Sequence, residues 1–379
     1  MSRKKRILFI DGPLGGGGAE RVLIDILRNI DYDLYEVDLA VICKGGVLMN
    51  EVPTQVNVIE LWPSYNLEYK LAYRLSKWLH SNCIFSHRMN GKKLRRDYDI
   101  EISFLEGMPL KLGALRTTEA KKVTWVHVDL FIRRYEAEQF YKGEELRAYN
   151  SMDVIVNVSK DCEESFIKRF PECTTKKMVI YNPIDRVKIV RMADEYRVEK
   201  KSDIFTVVGV GRLTSQKNPK RFLEVARLAK AANLPLRFKW IGDGVLRKEM
   251  EALRDLMGLS DMVEFTGFLK NPFPHIKASD LMMVTSDYEG FCLVICEAMC
   301  LGVPVISTRT AGPSEIIGND EYGLLTDFSS KDLFDGVQQF LSDKSLRRNM
   351  AEKAIKRPDN YSIEKSLNQL YELCMSAEN

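Results

Sequence analysis

The chain has 379 residues, of which 45% are hydrophobic and 29% are charged, so it is long enough for two globular domains with their own cores. Its formal net charge of +3 is too small to indicate nucleic-acid binding. No apolar run approaches the roughly 18 residues that span a membrane, and the stretch Ile7–Ile10 is too short for a signal peptide. We therefore expect a cytoplasmic protein with no nucleic-acid partner.

The first half alternates short apolar runs with helical stretches, which is typical of a parallel sheet covered by helices. After the first run, Gly12–Gly18 forms a glycine-rich turn in which the backbone can approach a ligand closely. The glycine spacing is not that of the dinucleotide fingerprint, and the end of the second strand, Cys43–Gly45, offers no acid for a ribose, so an NAD-dependent oxidoreductase is disfavoured. The strands predicted here are Arg6–Asp11, Val37–Ile42, Val56–Leu61, Ile100–Leu105, Val123–Val128 and Val154–Val158.

The segment between Trp62 and Tyr98 combines positive charge with an apolar helical pattern. Its eight basic residues face two acidic ones, a surplus twice the net charge of the whole chain. Such a segment suits a helix that lies on an anionic bilayer, and it equally suits a helix packed on its own domain with a solvated basic face. The apolar residues at helical spacing are Leu67, Leu71, Leu75, Trp78 and Leu79, and the basic residues are Lys70, Arg74, Lys77, Arg88, Lys92, Lys93, Arg95 and Arg96.

The same alternation begins again at Phe205 and predicts a second domain. The mostly charged segment Val187–Lys201 reads as the linker. We therefore expect two Rossmann-like domains, residues 1–186 and 187–361, followed by a final segment, 362–379. The strands predicted in the second half are Phe205–Gly209, Leu236–Ile241, Val263–Thr266, Leu281–Thr285 and Val303–Ser307.

Two motifs in the second half can hold a phosphorylated ligand that is rich in hydroxyl groups. Arg212 and Lys217 flank the turn after the first strand, where both can reach a diphosphate; the alternative is a solvated basic turn. Glu289 follows an apolar strand and Glu297 lies roughly two turns inside the next helix, so both can accept hydrogen bonds from ligand hydroxyls. A nucleotide-sugar fits both motifs, although two acidic residues near a helix start can also be cap and surface residues.

Eight cysteines in a cytoplasmic chain indicate free thiols. Cys292, Cys296 and Cys300 recur every four residues and therefore line one helical face. Because the rest of that face is apolar, and metal or cluster ligands usually lie on loops with other spacings, we predict three small buried core residues.

With these motifs, the chain resembles the retaining glycosyltransferases of the GT4 family, which have the α/β GT-B fold of two Rossmann-like domains facing each other across a cleft. The resemblance runs over nearly the whole chain in the right order and spacing. In this fold, the segment Ser362–Ala377 would be the helix that crosses back to the first domain. The matching pieces are the glycine-rich first loop, Trp125–His127, Tyr181–Asp185, Gly211-Arg212 with Lys217, Gly242–Gly244, Gly267-Phe268, Glu289–Glu297, Ala298–Ile306 and Gly312–Glu315.

The resemblance implies a role for each matching residue. Arg212 and Lys217 would hold the donor diphosphate and stabilise charge on the departing phosphate. Glu289 would bind hydroxyls of the transferred sugar, and Glu297 would bind the ribose. The other donor contacts would come from Gly16 and Gly17 in the first domain, from Gly211, from Gly267, Phe268 and Leu269 at the base, and from backbone N–H groups of Gly290, Phe291 and Cys292.

His127, at a predicted strand end, would lie near the anomeric centre with a positioning and electrostatic role; a buried structural histidine is the alternative. The catalytic residues would then be His127, Arg212, Lys217 and Glu289, with the leaving diphosphate taking the acceptor proton. Asp31–Asp33 and Asp97–Asp99 have the Asp-X-Asp form that holds a metal in the other large glycosyltransferase fold, but both read as polar turns. We expect neither a metal nor a cofactor.

The sequence therefore predicts a cytoplasmic, metal-independent, retaining transferase. It would move a hexose or N-acetylhexosamine from a nucleotide-sugar, with UDP favoured, to a lipid-linked or polysaccharide acceptor in the assembly of a cell-surface polysaccharide such as a capsule. The resemblance favours a peripheral contact of residues 67–96 with the inner face of an anionic cell membrane. The alternatives are a sugar-nucleotide epimerase, which fits the Glu289/Glu297 spacing less well, and a non-catalytic partner subunit of a transferase, which would have no use for these side chains.

Overall fold

The computed structural model describes residues 3–63, 67–133, 139–200 and 204–375. The chain divides into two compact units: unit 1 consists of Met1–Pro183 with Ile363–Asn379, and unit 2 consists of Ile184–Ser362. The sequence-based boundaries lie at 186/187 and 361/362. Each unit contains one parallel sheet, of seven strands in unit 1 and six in unit 2, which confirms the predicted α/β fold class.

The sheet of unit 1 has seven parallel strands: β1 (Lys5–Asp11), β2 (Tyr35–Cys43), β3 (Asn57–Trp62), β4 (Ile100–Ser103), β5 (Lys121–Val126), β6 (Val154–Asn157) and β7 (Lys176–Val179). Their order is β3-β2-β1-β4-β5-β6-β7. The central strands are largely buried and include apolar runs such as Ile7–Ile10 of β1, which is the pattern of a parallel sheet covered on both faces. Because the chain turns from one side of β1 to the other at β4, the order reverses between these two neighbours.

The helices that precede unit 2 are α1 (Gly18–Asn29), α2 (Leu67–Leu79), α3 (Cys83–Met89), α4 (Met108–Ala114), α5 (Glu144–Asn150) and α6 (Lys160–Arg169). Helix α1 begins directly after the glycine-rich turn and buries Val22, Leu23 and Leu27 against the sheet. Helix α2 buries a more polar face than α1 does, and its buried residues are Tyr69, Ala72 and Ser76. No helix among the described residues is both long and apolar enough to cross a bilayer.

The sheet of unit 2 repeats the same topology with β8 (Phe205–Val210), β9 (Leu236–Ile241), β10 (Val263–Gly267), β11 (Leu281–Val284), β12 (Val305–Thr308) and β13 (Leu324–Thr326). Their order is β10-β9-β8-β11-β12-β13, so the reversal point lies between β8 and β11. The core of this unit packs Phe222, Phe238 and Trp240 edge-to-face beneath the sheet.

Within the described residues, unit 2 has eight helices: α7 (Arg186–Ala193), α8 (Pro219–Ala231), α9 (Arg247–Leu256), α10 (Phe273–Lys277), α11 (Leu293–Cys300), α12 (Ala311–Ile317), α13 (Ser330–Ser342) and α14 (Lys344–Ala354). The first of them corrects the predicted linker, Val187–Lys201. Asp185 caps α7 by accepting a hydrogen bond from the Lys188 backbone N–H at 2.9 Å, and Ile189 and Ala193 are buried. Part of that charged segment is therefore an integral helix of unit 2, whereas Lys201 lies outside the described residues.

The last helix, α15 (Ile363–Met375), belongs to unit 1. The Lys5 ammonium donates to the Cys374 carbonyl at 3.1 Å, and Lys121 donates to the Leu373 carbonyl at 3.0 Å. The ring of Tyr371 stacks on Tyr35 with centroids 5.0 Å apart. The helix thus ties the end of the chain to β1 and β5, while residues 376 and 377 of the predicted segment lie outside the described residues.

Candidate functional site

The loops that follow β8 and β11 meet at the reversal point of the unit 2 sheet. The Thr285 hydroxyl donates to the Lys217 carbonyl at 2.8 Å, and the Asp287 backbone N–H donates to the Gln216 carbonyl at 2.8 Å. The Gln216 side-chain amide returns a bond to the Tyr288 carbonyl at 3.1 Å. Because ligands of open α/β sheets bind at this edge, the two interlocked loops form the floor of the candidate site.

An ion pair lies on that floor. The Lys217 ammonium is 2.5 Å from Glu289 Oε1, and the Ser286 hydroxyl donates to the same oxygen at 2.6 Å. Glu289 is only 5% exposed. Burial by itself lowers the pKa of Lys217, but the attraction of the Glu289 carboxylate outweighs it and the pKa is raised. Lys217 is therefore a fixed positive charge, as a group that holds phosphate must be.

Arg212 lies at the start of the same turn. Its side chain is exposed, and its positive charge is close enough to Lys217 to oppose the rise of the Lys217 pKa. Two cations thus share one turn at the reversal point. Such an arrangement can accept a doubly charged anionic group, one cation as a planar fork and the other as a point charge.

The turn after Glu289 leads into α11. Gly290, Phe291 and Cys292 are all buried, and the Cys292 backbone is left-handed, with φ of 71°. A Cβ at Gly312 would lie 2.4 Å from the Cα of Phe291, so only glycine allows the close approach of α12 to this turn. Because α11 begins at Leu293, Glu297 lies little more than one turn inside it, not two.

The three cysteines are buried, as predicted. Cys292, Cys296 and Cys300 are free thiols that are at most 7% exposed. Burial raises the pKa of each thiol, to about 12 for Cys300. They are therefore protonated, unreactive core groups at neutral pH.

The segment predicted to contact the base follows β10. The Gly242 backbone N–H donates to the Gly267 carbonyl at 2.9 Å, so β9 and β10 remain bonded one residue beyond the end of β9. Phe268 is 55% exposed, and Leu269 is partly buried. The structure places this segment two strands from β8, on the same edge of the sheet as Arg212.

In unit 1, the glycine-rich turn occupies the corresponding edge. The Leu14 backbone N–H donates to Gly45 O, and the Leu14 carbonyl accepts a bond from Leu48 N–H at 3.1 Å. Gly16 has φ of 92°, and a Cβ there would lie 2.8 Å from a methyl group of Val47. Gly17 is the N-cap of α1. At Gly16, backbone conformation and close packing therefore both require glycine.

His127 follows β5 on this edge and is 8% exposed. Its ring lies against Phe104, with centroids 4.9 Å apart, and neither ring nitrogen has a hydrogen-bond partner of normal geometry among the described residues. Burial lowers the pKa of His127 to about 3, which the Phe104 backbone only partly opposes. Any electrostatic role of this side chain at neutral pH is therefore that of a neutral dipole.

Further polar residues on the same edge were not singled out from the sequence. The Glu106 carboxylate accepts the His127 backbone N–H at 3.1 Å. Asp11 is fully buried, and its pKa is raised by burial and by the charges of Glu20 and Glu106. Asn157, at the end of β6, is also fully buried, and its side-chain amide has no hydrogen-bond partner among the described residues. Their only sequence signal is a polar residue at or just after a strand end.

Asp31–Asp33 is a polar turn, as predicted, whereas Asp97–Asp99 lies in an irregular loop whose two acidic residues pair with arginines. Asp31 Oδ1 accepts the Asp33 backbone N–H at 2.9 Å, which closes a local turn. Asp99 accepts a bond from the Arg3 side chain at 2.6 Å, and Asp97 pairs with Arg6. Across the part of the chain that the structure describes, no group of three or more His, Cys, Asp or Glu residues is arranged to hold a metal ion.

Comparison with known proteins adds a family match. Residues 192–357 match the model of "Glycosyl transferases group 1". The chain is 31% identical to the N-acetylgalactosamine-N,N'-diacetylbacillosaminyl-diphospho-undecaprenol 4-alpha-N-acetylgalactosaminyltransferase of Campylobacter jejuni, over 90% of this chain and 91% of that protein. It is 24% identical to the amylovoran biosynthesis glycosyltransferase AmsD of Erwinia amylovora, over 95% and 96% of the two chains. Among solved structures, Anabaena Alr3699/HepE in complex with UDP superposes with a TM-score of 0.72 at 22% identity, over 98% of this chain and 100% of that one.

Proposed function

The chain belongs to the group 1 glycosyltransferases, and from that premise we propose that it is a retaining enzyme of cell-surface polysaccharide assembly. It transfers a hexose or N-acetylhexosamine from a nucleotide-sugar, with UDP as the favoured nucleotide, to a lipid-linked or polysaccharide acceptor. The observation that carries this proposal is the contact of Lys217 with Glu289 at 2.5 Å, which joins a phosphate-binding cation to a hydroxyl-binding carboxylate at the reversal point of one sheet.

Unit 2 is the proposed donor-binding unit. Arg212 and Lys217 hold the diphosphate, Glu289 accepts hydrogen bonds from the hydroxyls of the transferred sugar, and Glu297 binds the ribose. The backbone of residues 267–269 contacts the base, and that of residues 290–292 faces the phosphates. As the bond between the anomeric carbon and the phosphate oxygen breaks, the two cations stabilise the charge that develops on the leaving diphosphate.

The carboxyl edge of unit 1 is the proposed acceptor-binding surface, with His127 and the turn at Gly16 and Gly17 as its contacts. The acceptor hydroxyl forms the new bond to the anomeric carbon and passes its proton to the departing phosphate oxygen. This route needs no protein nucleophile. It agrees with a His127 ring that burial keeps neutral at neutral pH.

The first experiment is hydrolysis of UDP-, GDP- and ADP-sugars by the purified protein without acceptor, with released nucleotide as the readout. We expect slow release from one donor, at a rate that EDTA leaves unchanged. Glu289→Ala or Lys217→Ala should abolish it, while Lys220→Ala, an exposed lysine of α8, should not. Conversion of the sugar without nucleotide release would identify an epimerase, and absence of both turnover and donor binding would favour a non-catalytic subunit.

We further propose that residues 67–96 contact an anionic membrane. Leu67, Leu71 and Trp78 of α2 are 80%, 52% and 78% exposed, while Tyr69 and Ala72 anchor the opposite face. Most of the apolar stripe noted in the sequence therefore points away from its own domain. Exposed leucine and tryptophan side chains on an amphipathic helix are those that enter the headgroup region of a bilayer.

Positive charge accompanies this stripe, although less than the sequence indicates. Lys70 and Arg74 are exposed on the same face of α2 as Leu67 and Leu71. In contrast, Arg88 is engaged with Glu68, and Arg95 lies 2.6 Å from Glu36, so these two basic residues have acidic partners among the described residues. The rest of the basic segment can still attract anionic lipid headgroups.

Vesicle binding tests this contact. Of the four tryptophans, only Trp78 is exposed, so its fluorescence reports directly on insertion. We expect a blue shift with phosphatidylglycerol vesicles, no shift with phosphatidylcholine vesicles, and loss of sedimentation with the vesicles for Leu67→Ser/Leu71→Ser. Leu256→Ser, which alters an exposed leucine of α9 in unit 2, is the matched control. Equal binding by both serine variants would contradict the contact.

A further inference from the structure

Both hydrogen bonds that the structure places on the Glu289 carboxylate converge on one oxygen. The Lys217 ammonium and the Ser286 hydroxyl donate to Oε1, at 2.5 Å and 2.6 Å. Among the described residues, no hydrogen bond of either donor reaches Oε2. The carboxylate is therefore held with one oxygen occupied and the other available to a ligand.

Ser286 lies two residues beyond the end of β11 and is buried rather than at the surface. It is 1% exposed, and its backbone carbonyl accepts a bond from the Thr308 hydroxyl of β12 at 2.6 Å. A ligand at the edge of the sheet cannot reach a hydroxyl that is buried to this degree. Whatever Ser286 contributes to the reaction must pass through Glu289.

The two groups that donate to Oε1, the Lys217 ammonium and the Ser286 hydroxyl, differ in flexibility. Lys217 has a long, flexible side chain that also serves the donor phosphates in the proposed function, whereas the Ser286 hydroxyl is short and its backbone is fixed. Rotation of a carboxylate about its last side-chain bond is soft, because the torsion is broad and nearly two-fold. A second, rigid donor is what fixes the plane of this carboxylate once the lysine engages phosphate.

We propose that Ser286 is a positioning residue that fixes Glu289 Oε1 and presents Oε2 to a hydroxyl of the transferred sugar. This inference rests on the proposed function. Loss of the hydroxyl leaves the diphosphate contacts in place but frees the carboxylate to rotate. Loss of the hydroxyl should therefore lower turnover and weaken discrimination between epimeric sugars. It should leave the affinity for the nucleotide unchanged.

Three variants test this. For the donor that the wild-type protein hydrolyses, we expect Ser286→Ala to lower kcat about 10- to 100-fold, as is typical for loss of a group that orients a catalytic side chain. The Kd for UDP, measured by calorimetry, should stay within about twofold. Ser286→Thr keeps the hydroxyl and should restore most of the rate.

The matched control is Ser307→Ala. Ser307 is a buried serine of the neighbouring strand β12, and its hydroxyl donates to the Thr308 carbonyl at 2.9 Å rather than to Glu289. Its kcat should equal that of the wild type. A wild-type kcat in Ser286→Ala, or an equal loss in Ser307→Ala, would overturn the proposal.

Failure of the proposed function gives a different result. If the wild-type protein releases nucleotide from no donor, the proposed function is wrong. Thermal unfolding can then still test whether Ser286 and Glu289 are coupled. The shifts in Tm of Ser286→Ala and Glu289→Ala should then be non-additive in the double variant, because each removes one partner of the same hydrogen bond. Additive shifts would contradict the proposal without reference to activity.

Discussion

The carboxyl edges of the two sheets share one topology but treat their polar side chains differently. In unit 2, Lys217 and Ser286 both donate hydrogen bonds to the Glu289 carboxylate. In unit 1, Asp11 Oδ2 and the side chain of Asn157 are buried and have no hydrogen-bond partner in the part of the chain that the structure describes. An unsatisfied buried polar group costs about 1–3 kcal/mol. Unit 2 has therefore paired the polar groups around Glu289 in advance, although the buried Thr310 hydroxyl after β12 also has no partner among the described residues. Unit 1 leaves more hydrogen-bonding groups unpaired at its edge, at a cost in stability.

The largest expected effect comes from removing the cation of the Lys217–Glu289 pair in unit 2. Lys217→Met should lower kcat/KM for the donor about 100-fold or more and the free energy of unfolding by about 1–3 kcal/mol, because it leaves a buried carboxylate without its cation. Donor hydrolysis and urea unfolding measure the two effects.

A double variant separates stability from function. Lys217→Met/Glu289→Gln should regain part of the lost stability but none of the activity, since no buried charge is left unpaired. Lys220→Met, in an exposed lysine three residues along the chain, is the control. Stability losses that simply add in the double variant would show that the pair is not coupled.

The next effect concerns His127, which lies at the carboxyl edge of the unit 1 sheet. Its folded pKa of about 3 lies below the usual 6.5, so the unfolded chain binds the proton first as the pH falls. The free energy of unfolding should therefore drop by up to about 1.4 kcal/mol per pH unit between pH 6.5 and 3. His127→Asn should flatten this slope in urea unfolding at a series of pH values. His87→Asn, in an exposed histidine, should leave the slope unchanged.

A smaller effect of opposite sign is expected for Asp11. Its raised pKa means that its contribution to stability is present at low pH and is lost as the pH rises through the folded pKa. Asp11→Asn keeps an acceptor for the Gly12 backbone N–H and removes the buried charge. We expect a gain of about 1 kcal/mol at pH 8 that vanishes near pH 3. No gain, or a gain equal to that of the exposed control Asp33→Asn, would contradict the prediction that the buried Asp11 carboxylate destabilises unit 1.

The smallest effect tests backbone strain beside Glu289. Cys292→Gly relieves a positive φ but loses a buried thiol, so we expect the free energy of unfolding to change by less than about 1 kcal/mol. Cys300→Gly, inside the same helix, gains no such relief and should lose about 1 kcal/mol or more. Calorimetric Tm values suffice, and equal losses for both variants would argue against strain at Cys292.

Much of the fold was readable from the sequence because buried parallel strands are continuous apolar runs. All eleven predicted strands occur, within a few residues of the expected bounds. The two strands that were missed, Lys176–Val179 and Leu324–Thr326, are the outermost of their sheets and only four and three residues long. An edge strand of this length carries too few apolar residues to show a period.

The site was readable only in part. Lys217 and Glu289 could be singled out by residue type, but their contact spans 72 positions and depends on β8 and β11 being neighbours, which local patterns do not determine. The start of α11 was misplaced because the left-handed backbone at Cys292 has no signature in a residue other than glycine. Ser286 was overlooked because a single serine at a strand end is common and its partner could not be known.

The placement of α15 has a consequence for how the protein is made. Unit 1 contains the first strand of the sheet and also the last helix, and the bond from Lys5 to the Cys374 carbonyl joins residues 369 positions apart. At a synthesis rate of about 5–20 residues per second, β1 leaves the ribosome many seconds before this helix exists. Unit 2, which is continuous in sequence, can finish folding while unit 1 still lacks a part of its surface. The residues of β1 are thus translated well before α15 and reach their final environment only after it, and the nascent chain is exposed to chaperones and proteases over that interval.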